Sequence, residues 1–308
     1  MRTEAEPARA VLVTGHSFGI SAFEGIFSCA AYLDGLLEIP LMIGLDDARA
    51  GATVGFRSLG GLAAEQGVPY VATTDGRLTS LAGRIRAAAP DYLLVIGWSS
   101  LIPDDVLAIP GQVAAGRGLA ADGGGPGGRG AFGCVGMHPT KLPLGRGQAP
   151  IPWTIIKGRK QTALSVFFLE AAADTGPVIA QYDLDVRDRE TGASLFYRIG
   201  HAHFAAGQDL GEAMGARRVP AVAQDESSAS RWPRRRPADG AILAAMTCQE
   251  ADALVRSLLG PYPRAFITEG ETRRYVRAVG MVPGGAGTIP FACSDGIVYL
   301  TPDPDLGA

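Results

Sequence analysis

One histidine and one aspartate stand out as residues able to do chemistry together. His138 precedes a proline in the run Gly133 to Pro150, GCVGMHPTKLPLGRGQAP, on a segment that leaves a buried strand. Asp174 opens the tripeptide Asp174-Thr175-Gly176, a tight loop that also follows a strand. An imidazole and a carboxylate on neighbouring strand ends form a natural acid/base pair. The imidazole moves a proton near neutral pH, and the carboxylate orients it and raises its basicity. Taken alone, either residue also has a bland reading: His138 as a loop residue and Asp174 as a turn former. Other candidates are weaker. His16 sits beside Ser17 without a nucleophile-elbow pattern, and it ends the first strand. His201 and His203 are two apart on a helix and face different sides, so they are poor co-ligands. Cys29, Cys134, Cys248 and Cys293 are scattered with no CxxC spacing, which reads as reduced thiols and no metal centre. Cys134 reads as a core thiol. The run Arg231 to Arg236, with Trp232 inside it, reads as a solvated linker before it reads as a phosphate contact.

The elements that must carry the pair follow from apolar runs and breakers. Residues 10–14 form a short apolar strand ending at Gly15-His16-Ser17, and helical periodicity then runs from about Gly19 toward Leu37. Ile39 to Leu45 and Pro69 to Ala72 read as strands, with a helix at Leu59 to Gln66 between them. Thr73 to Asp75 is expected to cap a helix through Ala88. Tyr92 to Ile96 is continuously apolar, as in a strand covered on both faces. Strands alternating with helices predict a Rossmann-like, doubly wound, mostly parallel sheet, which binds ligands beyond the carboxyl ends of its strands. Residues 111–132 are too rich in glycine to bury a core and read as a surface insertion. Pro152 starts a helix to Lys157, Thr162 to Leu169 and Pro177 to Leu184 read as strands, and Thr191 caps a long helix toward Gly215. The expected domains are 1–215, a linker at 216–240 and a smaller C-terminal α+β, OB-like module at 241–308. In that module a helix at Gln249 to Leu259 precedes short strands near Ala265–Thr268, Arg274–Val279 and Ile297–Leu300.

Composition narrows the class. At 308 residues and 47% hydrophobic content the chain builds a sizeable core. A net charge of −3 gives no general attraction for nucleic acid or an anionic membrane. The polar, acidic start is not a signal peptide, and no apolar run reaches the ~18 residues of a membrane span. A cytoplasmic protein is expected.

These residues resemble a known family, the N10-formyltetrahydrofolate-dependent formyltransferases, which include methionyl-tRNA formyltransferase and the sugar N-formyltransferases. The resemblance rests on Gly136-Met137-His138-Pro139-Thr140-Lys141-Leu142-Pro143, then Arg146-Gly147 and Pro150-Ile151-Pro152-Trp153. It includes Leu101-Ile102-Pro103, Asp174-Thr175-Gly176-Pro177 and Gln224-Asp225-Glu226-Ser227. Arg236-Pro237, Asp239-Gly240 and Pro261-Tyr262-Pro263 with Ala265-Phe266 continue it. It covers nearly the whole chain except 111–132. There is one serious departure: the family's catalytic asparagine, two before the histidine, is Gly136 here.

The resemblance implies transfer of a formyl group from N10-formyltetrahydrofolate to an amine, with His138, Asp174 and the Gly136 position as the catalytic set. Leu101, Ile102 and Pro103, facing Ala173, Thr175 and Gly176, are then expected to hold the folate, largely through backbone groups. Arg146, Gly147 and His16 are expected on the acceptor side, though Arg146 reads equally well as a loop brace. Formyl transfer needs donors aimed at an oxyanion and a base for the amine proton. Without the asparagine, a water, a backbone N–H near Gly136, or Ser99 and Ser100 must fill the gap, or the protein binds folate without transferring its carbon. From Arg236 onward, arginines 236, 256, 264, 273, 274 and 277 stand against acids 239, 250, 252, 269, 271, 295, 303 and 305. A mildly acidic module speaks against tRNA, where phosphate contacts dominate. A small amine acceptor, such as an amino sugar, is therefore favoured over methionyl-tRNA, with no nucleic-acid or membrane partner and a homodimer left open. A nicotinamide-dependent enzyme is disfavoured, because Gly15-His16-Ser17-Phe18-Gly19 is not a GxGxxG fingerprint.

Overall fold

Strand β1 (Ala8–Thr14) is apolar along almost its whole length and nearly every residue is buried, as expected where helices cover both faces of a sheet. The computed structural model of the chain describes residues 6–119, 132–285 and 287–306. β1 pairs in parallel with β2 (Leu37–Leu45), and β2 with β3 (Tyr70–Thr73). On its other side β1 pairs in parallel with β4 (Tyr92–Val95), and β4 with β5 (Gly133–His138). After a two-residue strand β6 (Arg146–Gly147), β7 (Gln161–Phe168) runs antiparallel to β5. β8 (Val178–Asp185) completes seven strands in the order β3-β2-β1-β4-β5-β7-β8. The winding reverses between β1 and β4, so their carboxyl ends open the crevice where such sheets bind ligands. His16, the Gly97–Pro103 segment and His138 follow or end β1, β4 and β5 respectively.

The chain divides into two compact units that interleave along the sequence. The first comprises Met1–Arg146, Ala163–Tyr182 and Ile199–Ser230, and the second Gly147–Thr162, Asp183–Arg198 and Arg231–Ala308. In the first unit α1 (Ser17–Phe27) follows β1, then α2 (Ala30–Leu33), α3 (Gly60–Gln66), α4 (Ala82–Ala87), α5 (Asp104–Leu107) and α6 (Ile109–Gly116). One of its core clusters gathers Val11, Val13, Leu41, Ile43, Ile85, Leu93, Val95, Val106, Ile109 and Cys134. The later helices are α7 (Pro150–Ile156), within the second unit, and α8 (Gly192–Gly215), which runs through both. α8 approaches α1 closely: a Cβ on Gly207 would lie 1.9 Å from the carbonyl oxygen of Ala22, so only glycine fits there.

In the second unit α9 (Cys248–Ser257) starts at a capping box between Thr247 and Glu250. After the short β9 (Arg231–Trp232), β10 (Ala265–Glu269), β11 (Thr272–Gly280), β12 (Ile289–Cys293) and β13 (Gly296–Pro302) form an antiparallel sheet in the order β10-β11-β13-β12. Its core joins Ile242, Leu254, Val255, Leu258, Ile267, Val276, Val298 and Leu300.

Four expectations need correction. The helix expected toward Leu37 ends at Phe27, restarts briefly as α2, and gives way to β2 at Leu37 itself. The apolar residues there alternate as in a strand. Thr73 does not cap a helix; it ends β3, and the Asp75 carboxylate accepts from its hydroxyl and from the N–H of Arg77. α4 begins only at Ala82, after a 3₁₀ turn over Thr79–Leu81. The glycine-rich stretch does contribute to the core at its start, since α6 runs to Gly116 and buries Ala114; its residues 120–131 lie outside the described residues. The expected strand set lacked β12, whose Pro290 and small residues hide its alternation. No helix among the described residues is long and apolar enough to cross a membrane.

Candidate active site

His138 is the last residue of β5, held by its register against β7, where it faces Ser165. Only 7% of it is exposed. Its Nε2 lies 2.9 Å from the carbonyl oxygen of Gly145. A carbonyl only accepts, so Nε2 carries the proton, and in the neutral ring Nδ1 presents its lone pair. Nδ1 faces Asp174 Oδ1 at 3.8 Å. The structure thus brings His138 and Asp174 together across one gap. Asp174 sits at φ +63°, a left-handed conformation that aspartate tolerates better than most residues but that still carries strain.

The turn after β5 is braced from β7 and β8. Ser165 Oγ donates to Thr140 O (2.6 Å) and accepts from the N–H of Leu142 (3.1 Å). Gln181 Nε2 donates to Leu142 O (2.8 Å) and Ser165 Oγ (2.9 Å). The Leu142–Pro143 peptide within this turn is cis.

Gly136 is buried and lies opposite Phe167 in the β5–β7 register. A Cβ built there would stand 2.6 Å from Leu169 Cδ2 and 3.5 Å from Phe167 Cε1. The volume that a side chain at 136 would enter is filled by Leu169. Leu169, like Trp98 and Ile102 on the segment following β4, packs against the same core cluster.

Arg146 is buried, with 5% of it exposed, and is fully engaged. Its Nε and Nη2 donate to Gln224 Oε1 (3.1 and 2.8 Å), and its Nη1 and Nη2 donate to Glu226 Oε2 (2.9 Å) and Oε1 (2.6 Å). The hydrogen bonds to Glu226 hold the guanidinium above its ordinary value, with the charges of Glu226 and Asp174 adding to them. Arg146 in turn holds the Glu226 carboxyl below its ordinary value. Gln224 Nε2 donates to the carbonyls of Asp174 (2.9 Å) and Gly176 (2.7 Å). The geometry gives Arg146 a bracing job, one of the two the sequence allowed. Gln224, Ser230 and Leu169 were not singled out from sequence. For Gln224 the signal was its place in the Gln224–Ser227 motif; for Leu169 there was none.

The remaining sequence candidates are placed as follows. Leu101 is 72% exposed on the segment after β4, Ile102 packs inward, and Pro103 is the N-cap of α5. Ala173, Thr175 and Gly176 share the Asp174 loop, where Thr175 Oγ1 donates to Ala172 O. His16 is the N-cap of α1; its Nδ1 accepts from the N–H of Phe18 at 3.0 Å. Burial lowers the His16 imidazole to about 4. Gly147 belongs to the second unit, at φ +110° with the Trp232 carbonyl oxygen 2.3 Å from where a Cβ would stand. Burial pushes the Cys134 thiol up to about 12, consistent with an inert core residue. Two surface hollows, of about 630 Å³ around Arg9, Tyr32 and Pro69 and about 530 Å³ around Tyr262, Arg264 and Tyr275, include neither His138 nor Asp174 in their linings. Among the described residues no group of three or more His, Cys, Asp and Glu is placed to hold a metal.

Residues 129–206 match the sequence family described as formyl transferase. That span holds His138, Arg146 and Asp174. Solved structures share the fold over nearly the whole chain. A methionyl-tRNA formyltransferase from Clostridium thermocellum is 20% identical, with 96% of this chain and 99% of that chain covered at a TM-score of 0.61. A sugar 3N-formyltransferase solved with dTDP and 5-N-formyl-THF is 11% identical, with 98% and 100% covered at 0.63. The N-formyltransferase of Helicobacter canadensis, in complex with folinic acid and dTDP-3-aminofucose, is 12% identical, with 96% and 99% covered at 0.65.

Proposed function

We propose that this chain, which carries a formyl transferase segment at residues 129–206, transfers a formyl group from N10-formyltetrahydrofolate to the primary amine of a small acceptor. The observation that carries the reading is the gap of 3.8 Å between His138 Nδ1 and Asp174 Oδ1. Two acceptors facing each other favour a proton, or an N–H, between them. An attacking amine brings such protons. His138, with Nε2–H tied to Gly145, takes one at Nδ1, Asp174 stabilises the imidazolium that results, and the same proton is returned to the tetrahydrofolate nitrogen as its bond to the formyl carbon breaks. Holding amine and formyl carbon in one cleft supplies much of the remaining rate.

The folate donor fits the residues present. Leu101 offers exposed apolar surface at the carboxyl end of β4. Leu101, Ile102 and Pro103 on one side, with Ala173, Thr175 and Gly176 on the other, would hold the pterin, their backbone groups reading its polar edge. Bound there, the donor supplies the activated formyl carbon. On the acceptor, the acidic balance of residues from Arg236 onward favours a small amine over tRNA, and a fold neighbour solved with dTDP-3-aminofucose makes nucleotide-linked amino sugars the first class to assay. With purified protein, formyl transfer to an amino sugar on a nucleotide should appear with a KM little changed between 50 and 200 mM salt. A tRNA acceptor making six to ten phosphate contacts would instead lose roughly 10³–10⁵ in affinity over that range. Salt-sensitive formylation of methionyl-tRNA alone would overturn the small-amine reading.

A second reading is favoured by Leu169. With an apolar side chain where the resemblance expects a hydrogen-bond donor, the protein would bind folate without transferring its carbon. Saturable folate binding with no transfer to any amine would select it.

A further inference from the structure

We infer that Gln224 is the residue that positions Asp174 against His138, with Arg146 and Glu226 as its anchor. Its amide uses every polar group it has. Nε2 donates to the two carbonyls that flank Thr175, those of Asp174 and Gly176. Oε1 accepts twice from Arg146. The orientation of the amide is forced, because carbonyls only accept and a guanidinium only donates. A carboxylate at 224 loses both donations, and an ammonium loses both acceptances; only an amide joins the two partners. The tether also supports Asp174 at φ +63°, where some strain remains even for aspartate.

The same short segment also sets the other half of the pair. Ser230 Oγ accepts from the N–H of Gly145 (2.9 Å), and Ser230 O accepts from the N–H of Arg146 (2.9 Å). Gly145 O is the acceptor that fixes the His138 ring. One stretch, Gln224 to Ser230, therefore grips the Asp174 loop at one end and the partner of His138 at the other. A backbone bridge between Val178 and Val222 ties the stretch down just before Gln224. The width of the His138–Asp174 gap is thus decided by residues far from both in sequence. Gln224 touches neither reactant and acts through Asp174.

This inference rests on the formyl-transfer reading for its kinetic arm only. The test is Gln224→Glu in the full chain, which keeps the acceptor for Arg146 and removes both donations. We expect kcat to fall about 10²-fold, the usual consequence of ångström-scale misplacement, with the KM for the formyl donor within threefold of wild type. In protein labelled at its four histidines, the ¹⁵N resonances of His138 should shift while those of His16, His201 and His203 stay. Should Gln224→Glu not accumulate as folded protein, Gln224→Asn, with the same chemistry on an arm one methylene shorter, is read the same way. A folded variant with unchanged kcat and an unmoved His138 resonance overturns the inference. If the wild type transfers no formyl group, the functional reading fails, and the His138 resonance alone still decides the positioning claim.

Discussion

Restoring an asparagine at position 136 tests both the mechanism and the reason the chain lacks one. A Cβ at 136 would stand 2.6 Å from Leu169 Cδ2 and 3.2 Å from its Cγ. Real side chains do not approach so closely, and asparagine adds three more heavy atoms to the same space. Leu169 must then rotate away, and overpacking of this kind costs about 1–3 kcal/mol. Gly136→Asn alone should therefore lower the unfolding free energy by that amount and place its amide poorly. Leu169→Ala opens the space; because Leu169 is only partly buried, its own cost should fall near or below the ~2 kcal/mol lower end for a core leucine. In the double variant the amide can reach a developing oxyanion, and one such donor is worth about 10²–10³ in kcat, or ~2.7–4 kcal/mol. Single-turnover formyl transfer, with denaturant titration as the control for folding, measures all three variants against wild type. The expected order is double variant first, then wild type, then Gly136→Asn. A folded double variant no faster than Leu169→Ala would show that no oxyanion donor is missing at 136. The reasoning from Leu169 would then be wrong.

Two further outcomes follow from the charged and buried groups. Arg146→Lys keeps a charge but cannot serve Gln224 Oε1 and both oxygens of Glu226 together; it should cost about 1.5–3 kcal/mol in denaturant unfolding and lower kcat more than it raises KM, and an unchanged kcat would remove Arg146 from the brace. Burial lowers His203 to about 3 and His16 to about 4, so the folded chain refuses protons that the unfolded chain takes near pH 6.5. Stability from each is fully present above that pH and falls as pH drops, by about 2 kcal/mol per histidine at pH 5. Urea titrations at pH 7.5 and 5.0 check this: His203→Gln should shrink the pH-dependent loss by about 2 kcal/mol, and an equal loss in the variant refutes the assignment.

Local patterns carried most of the fold. Apolar runs such as Ala10 to Thr14 and Tyr92 to Ile96 declared strands because a strand covered on both faces must be apolar throughout, and the alternation with helices declared a doubly wound sheet. The break at Ser28–Cys29 and the turn at Asp75 were not legible, because a few residues of ambiguous period are settled by packing and by side-chain hydrogen bonds to the backbone. His138 and Asp174 were legible as a pair by residue type and by their strand-end positions. Three things needed the folded chain. Which nitrogen of His138 carries the proton depends on Gly145 O. What fills the space beside Gly136 is Leu169, brought there by the β5–β7 pairing. What holds Asp174 is Gln224, fifty residues on. Spacing along the chain names the groups that can react. The distances between those groups are set by hydrogen bonds and packing between residues that sequence separation does not connect.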